Sequence, residues 1–90
     1  MNLYKITQNS NRGYDTFDSA IVAAPDEGTA RFIHPEMSWE GSFSTVRNIK
    51  KWEDDWSAWA GSPQDVTVEL VGTAVEGTET GVVLASFNAG

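Results

Sequence analysis

The chain has 90 residues and a mass of 9.8 kDa, which is the size of one small domain, so residues 1–90 are interpreted as a single domain. Its 40% hydrophobic and 21% charged residues are typical of a globular protein rather than a disordered one. No cysteine is present, which excludes disulfides, thiolate chemistry and zinc sites built on cysteine. The length excludes a large enzyme with its own cofactor domain and leaves a small catalyst, a binding module or an inhibitor.

Charge is distributed unevenly along the chain, whose formal net charge is −7. All six lysines and arginines lie in residues 1–51, where acids balance them, whereas residues 52–90 contain acids and no base. Duplex nucleic acid is therefore an unsuitable direct partner, because its binding requires a basic surface that releases counterions. The acidic segment serves solubility or meets a basic surface on another protein.

No segment of the sequence predicts membrane insertion or secretion. The residues after Met1 lack an apolar stretch of signal-peptide length. No apolar run approaches the roughly 20 residues that a membrane-spanning helix needs. We therefore expect a soluble protein of the cytoplasm.

The first third of the chain predicts two strands and a short helix. Residues 3–8 alternate as a strand does, and a turn-rich stretch follows them. Residues 19–24 form a nearly continuous apolar run, which favours a central strand covered on both faces. Residues 25–35 predict a short helix with Asp26 as its N-cap and Pro35 as its end.

Spacing in the middle of the chain favours further helical turns. Ala30 and Ile33 lie three residues apart and are expected to face the sheet. Residues 36–44 predict a loop. In residues 45–59 the apolar side chains recur every three or four positions, as they do on one face of a helix. These side chains are Val46, Ile49, Trp52, Trp56 and Trp59.

The last third predicts two more strands. Residues 65–72 alternate between apolar and polar side chains, and residues 81–87 form a second apolar strand. The polar residues 73–80 between them predict a hairpin loop. The expected fold class is α+β, a two-layer sandwich with a mainly antiparallel four-stranded sheet and one or two short helices on one face.

Catalytic and metal-binding patterns are weak. His34 is the only histidine, and no nucleophile motif accompanies it. Asp15 and Asp18 could hold a hard cation, but the alternate spacing of acids in a calcium loop is absent. Both glycine-rich phosphate motifs are also absent. We therefore predict no catalytic residue, no metal and no cofactor, with a small nucleotide-acting enzyme using Asp15, Asp18 and His34 as an alternative.

A cluster of aromatic and basic residues is the strongest candidate for a binding site. Four tryptophans fall within residues 39–59, next to three basic side chains. Aromatic rings stack on bases and cations hold phosphates, although tryptophans also build small cores and protein interfaces. The polar, aromatic loop that begins at Arg12 is a second candidate. The predicted ligand-binding residues are Arg12, Tyr14, Asp15, Trp39, Arg47, Lys50, Lys51, Trp52 and Trp56.

Several segments resemble a family of small uncharacterised proteins of bacteriophages and prophages. The resemblance lies in residues 3–8 (LYKITQ), 13–20 (GYDTFDSA), 30–31 (AR), 34–35 (HP), 63–68 (PQDVTV) and 85–90 (ASFNAG). It implies a phage accessory protein that acts in the host cytoplasm. Such proteins often block a defence protein, mimic DNA or sequester a nucleotide immune signal. The family has no assigned site, so no residue role is transferred from it.

These observations lead to one functional hypothesis and two alternatives. The expected function is non-enzymatic sequestration of a nucleotide-derived immune signal, with the aromatic cluster holding the base and the cations holding phosphate. A homo-oligomer is expected, because a chain this small offers few deep pockets alone. The first alternative is an acidic inhibitor that mimics nucleic acid against a host defence protein, using Glu53, Asp54 and Asp55. The second is the small enzyme described above.

Overall fold

The computed structural model of the chain describes residues 1–39, 43–53 and 58–88. Its elements are strands β1 (Asn2–Gln8), β2 (Thr16–Ala24), β3 (Val66–Thr73) and β4 (Gly81–Asn88), helices α1 (Glu27–Arg31) and α2 (Thr45–Glu53), and two 3-10 helices, Pro35–Trp39 and Pro63–Asp65. The four strands form one antiparallel sheet. The predicted α+β fold with a four-stranded sheet is confirmed.

The strands lie in the order β3-β1-β2-β4, and the connection between β3 and β4 differs from the predicted one. Residues 73–80 were expected to close a hairpin, but β3 pairs with β1 and β4 pairs with β2. The hairpin of β1 and β2 has two open edges, and each later strand takes one of them. Residues 74–80 cross the end of that hairpin, spanning about 14 Å, or three strand spacings. The backbone N–H of Ala74 donates to the carbonyl oxygen of Met1 at 2.9 Å and holds this crossing segment.

The pairing register separates two faces of the sheet. Ile6 pairs with Ala20 and Val68, and these side chains lie on the face that the helices cover. The opposite face is called the open face, and its residues include Leu3, Lys5, Thr7, Ser19, Ile21, Thr67, Glu69, Leu84 and Ser86. The prediction that the second strand is covered on both faces is correct only at its end, where Ala23 and Ala24 are buried.

The core lies between the covered face and the helices. Ala30 and Ile33 are fully buried, as their spacing predicted. They pack into one cluster with side chains of the sheet and of the segment before β3. The buried members are Tyr4, Ile6, Phe17, Ala20, Val22, Ala24, Trp59, Ala60 and Val66.

The predicted helix over residues 25–35 is shorter than expected, and a second helix follows it. Oδ1 of Asp26 accepts the backbone N–H of Thr29 at 2.7 Å, which confirms the N-cap. The loop expected from residue 36 is wrong for residues 36–39, because a 3-10 helix begins at Pro35. Proline suits a first helical position, since its φ angle is already set and it has no N–H to satisfy. Met37 anchors this helix in the core with 1% of its surface exposed.

Helix α2 turns only Trp52 of its predicted apolar side chains toward the protein, among those that are described. Asn48 is buried and Trp52 is half-buried, whereas Val46 and Ile49 are 68% and 51% exposed. The carbonyl of Phe32 accepts hydrogen bonds from both inward side chains, at 2.6 Å each. Asn48 also accepts the backbone N–H of His34 in a buried hydrogen bond at 2.8 Å, and the need to pair this buried group decides the helix orientation. None of the described helices is long and apolar enough to cross a membrane.

Candidate ligand-binding site

A buried amide side chain shapes the loop between β1 and β2. Oε1 of Gln8 accepts the backbone N–H of Asn11 at 2.7 Å, and Nε2 of Gln8 donates to the carbonyl of Phe17 at 3.0 Å. The Asn11 side chain in turn donates to the carbonyl of Trp59 at 3.1 Å. The loop that carries Arg12 is therefore fixed to the core at its base.

The tip of the same loop is fixed to β4. The backbone N–H of Asp15 donates to the carbonyl of Asn88 at 2.6 Å, and the Thr16 hydroxyl donates to the carbonyl of Gly13 at 2.6 Å. Asp15 has a φ of 61°, a left-handed conformation that aspartate tolerates better than most residues. Asp15, a predicted ligand residue, therefore has a structural role in the turn. Tyr14 next to it is 79% exposed.

A polar cavity opens at this end of the open face. Its volume is about 390 Å³, within the range of small-molecule sites. Four segments contribute to it: β1, the loop after β1, the start of β2 and the end of β4. The lining residues are Lys5, Thr7, Gln8, Asn9, Asn11, Arg12, Asp18, Ser19 and Asn88. Among the predicted ligand residues whose side chains are described, Arg12 lines this cavity.

The cavity is locally positive in an acidic protein. Lys5 and Arg12 contribute two cations and Asp18 one carboxylate, whereas the whole chain has a net charge of −7. Within the described ranges, neither Lys5 nor Arg12 has an ion pair or a side-chain hydrogen bond. Arg31 and Lys51, by contrast, pair with glutamates at 3.5 and 3.6 Å. The two cavity cations are therefore available to a ligand.

A smaller cavity of about 270 Å³ adjoins the polar one at Ser19. It is formed by residues 19–21 of β2 and residues 84–86 of β4. Ile21 and Leu84 pair across these strands on the open face, and Leu84 is 68% exposed. We call Ile21 and Leu84 the apolar shelf. An apolar surface therefore adjoins the cavity that Lys5 and Arg12 line.

Two of the predicted ligand residues on α2 make structural contacts. The indole N–H of Trp52 donates to Phe32 as described, and its ring meets the His34 ring edge-on at 5.2 Å. Nζ of Lys51 lies 3.6 Å from a carboxylate oxygen of Glu36, and the other oxygen accepts the N–H of Ala58 at 2.7 Å. These contacts hold α2 against the 3-10 helix that begins at Pro35.

The remaining predicted residues lie apart from the cavities or outside the described structure. Arg47 and Lys50 are exposed on α2, and no described residue of α2 lines either cavity. Trp56 and the side chain of Trp39 lie outside the described residues. The structure thus separates Arg12 from the basic residues of α2, which the sequence analysis had combined into one site.

Sequence analysis missed most of the residues that accompany Arg12 in the cavity. Lys5 and Thr7 do alternate with Ile6, so the strand pattern already places them on the face opposite the core. Ser19 lies beside Lys5 and Thr7 because it pairs with Thr7 across the two strands. Asp18 joins them at a register shift in β2, and it accepts a hydrogen bond from the Ser86 hydroxyl at 3.5 Å.

The histidine that a small enzyme would need is inaccessible. His34 has 0% exposed surface, and its Nδ1 accepts the backbone N–H of Glu36 at 3.2 Å. It therefore cannot contact a substrate in either cavity without rearrangement of the core. Within the described part of the chain, no three His, Asp or Glu side chains come together as a metal site.

Comparison with known proteins gives no relative from which a role could be transferred. No protein-family model, curated protein or solved structure matches the chain.

Proposed function

We propose that this protein is a non-enzymatic binding protein for a nucleotide-type ligand, which occupies the polar cavity and the apolar shelf. The observation that supports the proposal is the placement of Lys5 and Arg12, two cations that pair with no other described residue, in one cavity beside an apolar surface. Charge-assisted hydrogen bonds to phosphate are the strongest contacts these side chains can make.

Each part of a nucleotide has a complementary group in this arrangement. Phosphate oxygens would accept hydrogen bonds from Lys5 and Arg12, and sugar hydroxyls would donate to the carboxylate of Asp18. The flat, weakly polar base would lie on the apolar shelf. Tyr14, exposed in the same loop as Arg12, is available to stack on a base. Inorganic phosphate would use only the first of these contacts.

The proposed cellular role is sequestration of a nucleotide-derived immune signal by a phage-type accessory protein in the host cytoplasm. The resemblance to small phage proteins suggests this role, and the local positive charge of the cavity is compatible with it. Sequestration requires tight binding without turnover. The inaccessible His34 is consistent with a binder rather than with the small enzyme.

The test is calorimetric titration with a panel of AMP, cyclic dinucleotides, cyclic trinucleotides and NAD-derived compounds. At least one compound should bind, and Arg12→Ala and Lys5→Ala should each weaken its binding about tenfold or more. Lys50→Ala is the matched control, because Lys50 is exposed on α2 and lines neither cavity. Loss of binding in Lys50→Ala with full binding in both cavity variants would instead favour the site on α2.

Recovery of the bound compound separates binding from catalysis. After the complex is denatured, the ligand should be recovered chemically intact. A ligand that is recovered as a breakdown product would contradict sequestration and favour the small nucleotide-acting enzyme. Failure of every compound in the panel to bind would overturn the proposed function.

The apolar shelf gives a second, independent test of the ligand class. AMP should bind more tightly than ribose 5-phosphate, because only AMP places a base on Ile21 and Leu84. Leu84→Asn should reduce this preference while it leaves the affinity for ribose 5-phosphate unchanged. Equal affinities for the two compounds would show that the site recognises the sugar phosphate alone.

The acidic inhibitor remains a second candidate, because several acids form an exposed surface. Asp65 and Glu69 are exposed at and before β3, and Glu76 and Glu79 are exposed in the segment that crosses the sheet end. Asp54 and Asp55 lie outside the described residues. A host protein captured at low salt and released at high salt would support this function. The triple variant Glu69→Gln, Glu76→Gln, Glu79→Gln should then abolish the capture.

A further inference from the structure

The two edges of the sheet differ in charge. Edge strand β3 carries Glu69 at its centre, and Asp65 directly precedes it. Edge strand β4 has the sequence GVVLASFN, with no charged residue and no proline. In a chain with a net charge of −7, this edge is electrically neutral along all eight residues.

Strand β4 also lacks the charges and prolines that protect many sheet edges, although a register shift against β2 leaves Val83 unpaired between Leu84 and Val82, as a similar shift leaves Val71 of β3. Edge strands of natural proteins usually carry charges or prolines, which prevent pairing with another chain. Val83 and Leu84 of β4 are instead 55% and 68% exposed. Within the described part of the chain, no strand pairs with the outer edge of β4. This edge therefore offers backbone hydrogen-bonding groups together with apolar side chains.

We propose that β4 pairs antiparallel with β4 of a second copy of this chain, so that the two sheets become one continuous sheet. A two-fold axis at Leu84 would set this residue opposite Leu84 of the second copy, within the neutral, apolar centre of the edge. The same arrangement along β3 would bring the Glu69 carboxylates of two acidic proteins together. Like charges at that position repel, which favours the β4 edge.

This dimer explains the homo-oligomer expected from the size of the chain, and it is independent of the ligand. The open faces of the two copies would form one surface, with the two apolar shelves next to each other. The end of β4 contributes Asn88 to the polar cavity, but the cavity cations Lys5 and Arg12 lie on β1 and the loop after it, so pairing centred on Leu84 leaves them accessible in each copy.

The first test is sedimentation equilibrium of the purified protein and three lysine variants. The wild-type protein should sediment as a dimer of about 20 kDa, twice the chain mass of 9.8 kDa. Val83→Lys should raise the dimer dissociation constant about tenfold or more, because the two lysines of a dimer become diagonal neighbours across the paired strands. Val75→Lys is the matched control, since Val75 is an 81% exposed valine outside the sheet. Circular dichroism verifies that each variant is folded.

Each contrary result identifies a specific failure. A wild-type monomer at 100 µM would overturn the proposal. Val71→Lys on β3 tests the other edge, and its disruption of the dimer with Val83→Lys unaffected would assign the interface to β3. Species larger than a dimer would show open-ended association rather than a closed two-fold pair.

A single introduced cysteine provides a test that does not depend on destabilising the fold. The chain has no cysteine, so Leu84→Cys creates one unique thiol. Directly opposed residues of antiparallel strands are close enough for a disulfide. Mild oxidation should therefore produce a covalent dimer of Leu84→Cys and little or none of Val75→Cys. Equal cross-linking of the two variants would contradict the β4 interface.

Discussion

The side chain of Asn48 accepts the backbone N–H of His34 through its Oδ1 atom at 2.8 Å, although the two residues are 14 positions apart in the chain. Its Nδ2 atom donates to the carbonyl of Phe32 at 2.6 Å. One side-chain amide thus supplies both a hydrogen-bond acceptor and a donor to the chain segment between α1 and the following 3-10 helix. Asn48 is 4% exposed, so water cannot substitute for these bonds.

Replacement of Asn48 by alanine should be strongly destabilising. The substitution leaves the His34 N–H buried without its acceptor, and such a group costs about 1–3 kcal/mol. We expect a loss of about 2–3 kcal/mol in the free energy of unfolding, measured by urea denaturation. Lys50→Ala, on the exposed side of the same helix, should change stability by no more than about 0.5 kcal/mol. Equal stabilities of the two variants would mean that Asn48 does not hold α2.

Three glycines differ in how well their backbone conformation and their surroundings would accept a Cβ atom. A Cβ atom at Gly81 would lie 3.2 Å from the Cβ of Phe43, and φ at Gly81 is +147°. Gly77 has a φ of +90° with no atom within 4 Å, and Gly61 has neither constraint. Substitution by alanine should lower the free energy of unfolding by about 2 kcal/mol or more at Gly81 and by about 1 kcal/mol at Gly77. At Gly61 the free energy of unfolding should remain almost unchanged. Thermal unfolding of the three variants measures this order, and a Gly61→Ala loss as large as that of Gly81→Ala would refute it.

Two substitutions of Asp15, which has a left-handed conformation, distinguish a role in the turn from a role in binding. Asp15→Val should lose about 1–2 kcal/mol, because a β-branched side chain disfavours a φ of 61°. Asp15→Asn should retain the stability, since asparagine also tolerates this conformation. If Asp15→Asn remains stable but loses nucleotide affinity in calorimetry, the carboxylate itself contacts the ligand.

Acid should weaken the start of α1. The backbone hydrogen bond from Thr29 lowers the pKa of Asp26 below its ordinary value of 3.8. A carboxyl group whose pKa is lower in the folded state contributes stability that is present above its unfolded pKa and is lost as the pH falls through its folded pKa. The stability advantage of the wild-type protein over Asp26→Asn should therefore be complete at pH 7 and shrink below a pH of about 3.8. An advantage that is constant between pH 7 and pH 3 in thermal unfolding would contradict this assignment.

Local signals in the sequence were sufficient for the four strands and the two α-helices, but not for the 3-10 helix Pro35–Trp39 or for the order of the strands. The Asp26 cap and the buried pair Ala30 and Ile33 depend on neighbours within a few residues, so their pattern was readable. The polar residues 73–80 suit a hairpin turn or a crossing segment equally well. The choice between them depends on the open edges of the β1–β2 hairpin, which no local pattern encodes.

The orientation of α2 shows the same limit. The spacing of its apolar residues predicted a helix, and a helix is present over the described residues. The side that faces the protein, however, is determined by backbone groups of Phe32 and His34 that need partners. This requirement arises only after the segment between α1 and the 3-10 helix has folded.

The candidate site was predictable only in part. The composition of its loop identified Arg12, because polar loops with aromatic residues often carry function. Lys5 and Asp18 became visible only with the strand register, which sets which side chains lie side by side across the sheet. The tryptophans in and after α2 indicated a candidate ligand site. Of these, Trp59 belongs to the core and Trp52 packs against it.

The strand order has a consequence for biosynthesis. The two central strands are made first, within residues 2–24, whereas both of their neighbours come from residues 66–88. A two-stranded hairpin alone is marginally stable in water, so the emerging chain has no durable sheet until those later residues leave the ribosome. Folding is then governed by contacts between distant parts of the chain, which form slowly. The nascent hairpin, with both edges open, is the stage at which chaperones would protect this protein from aggregation.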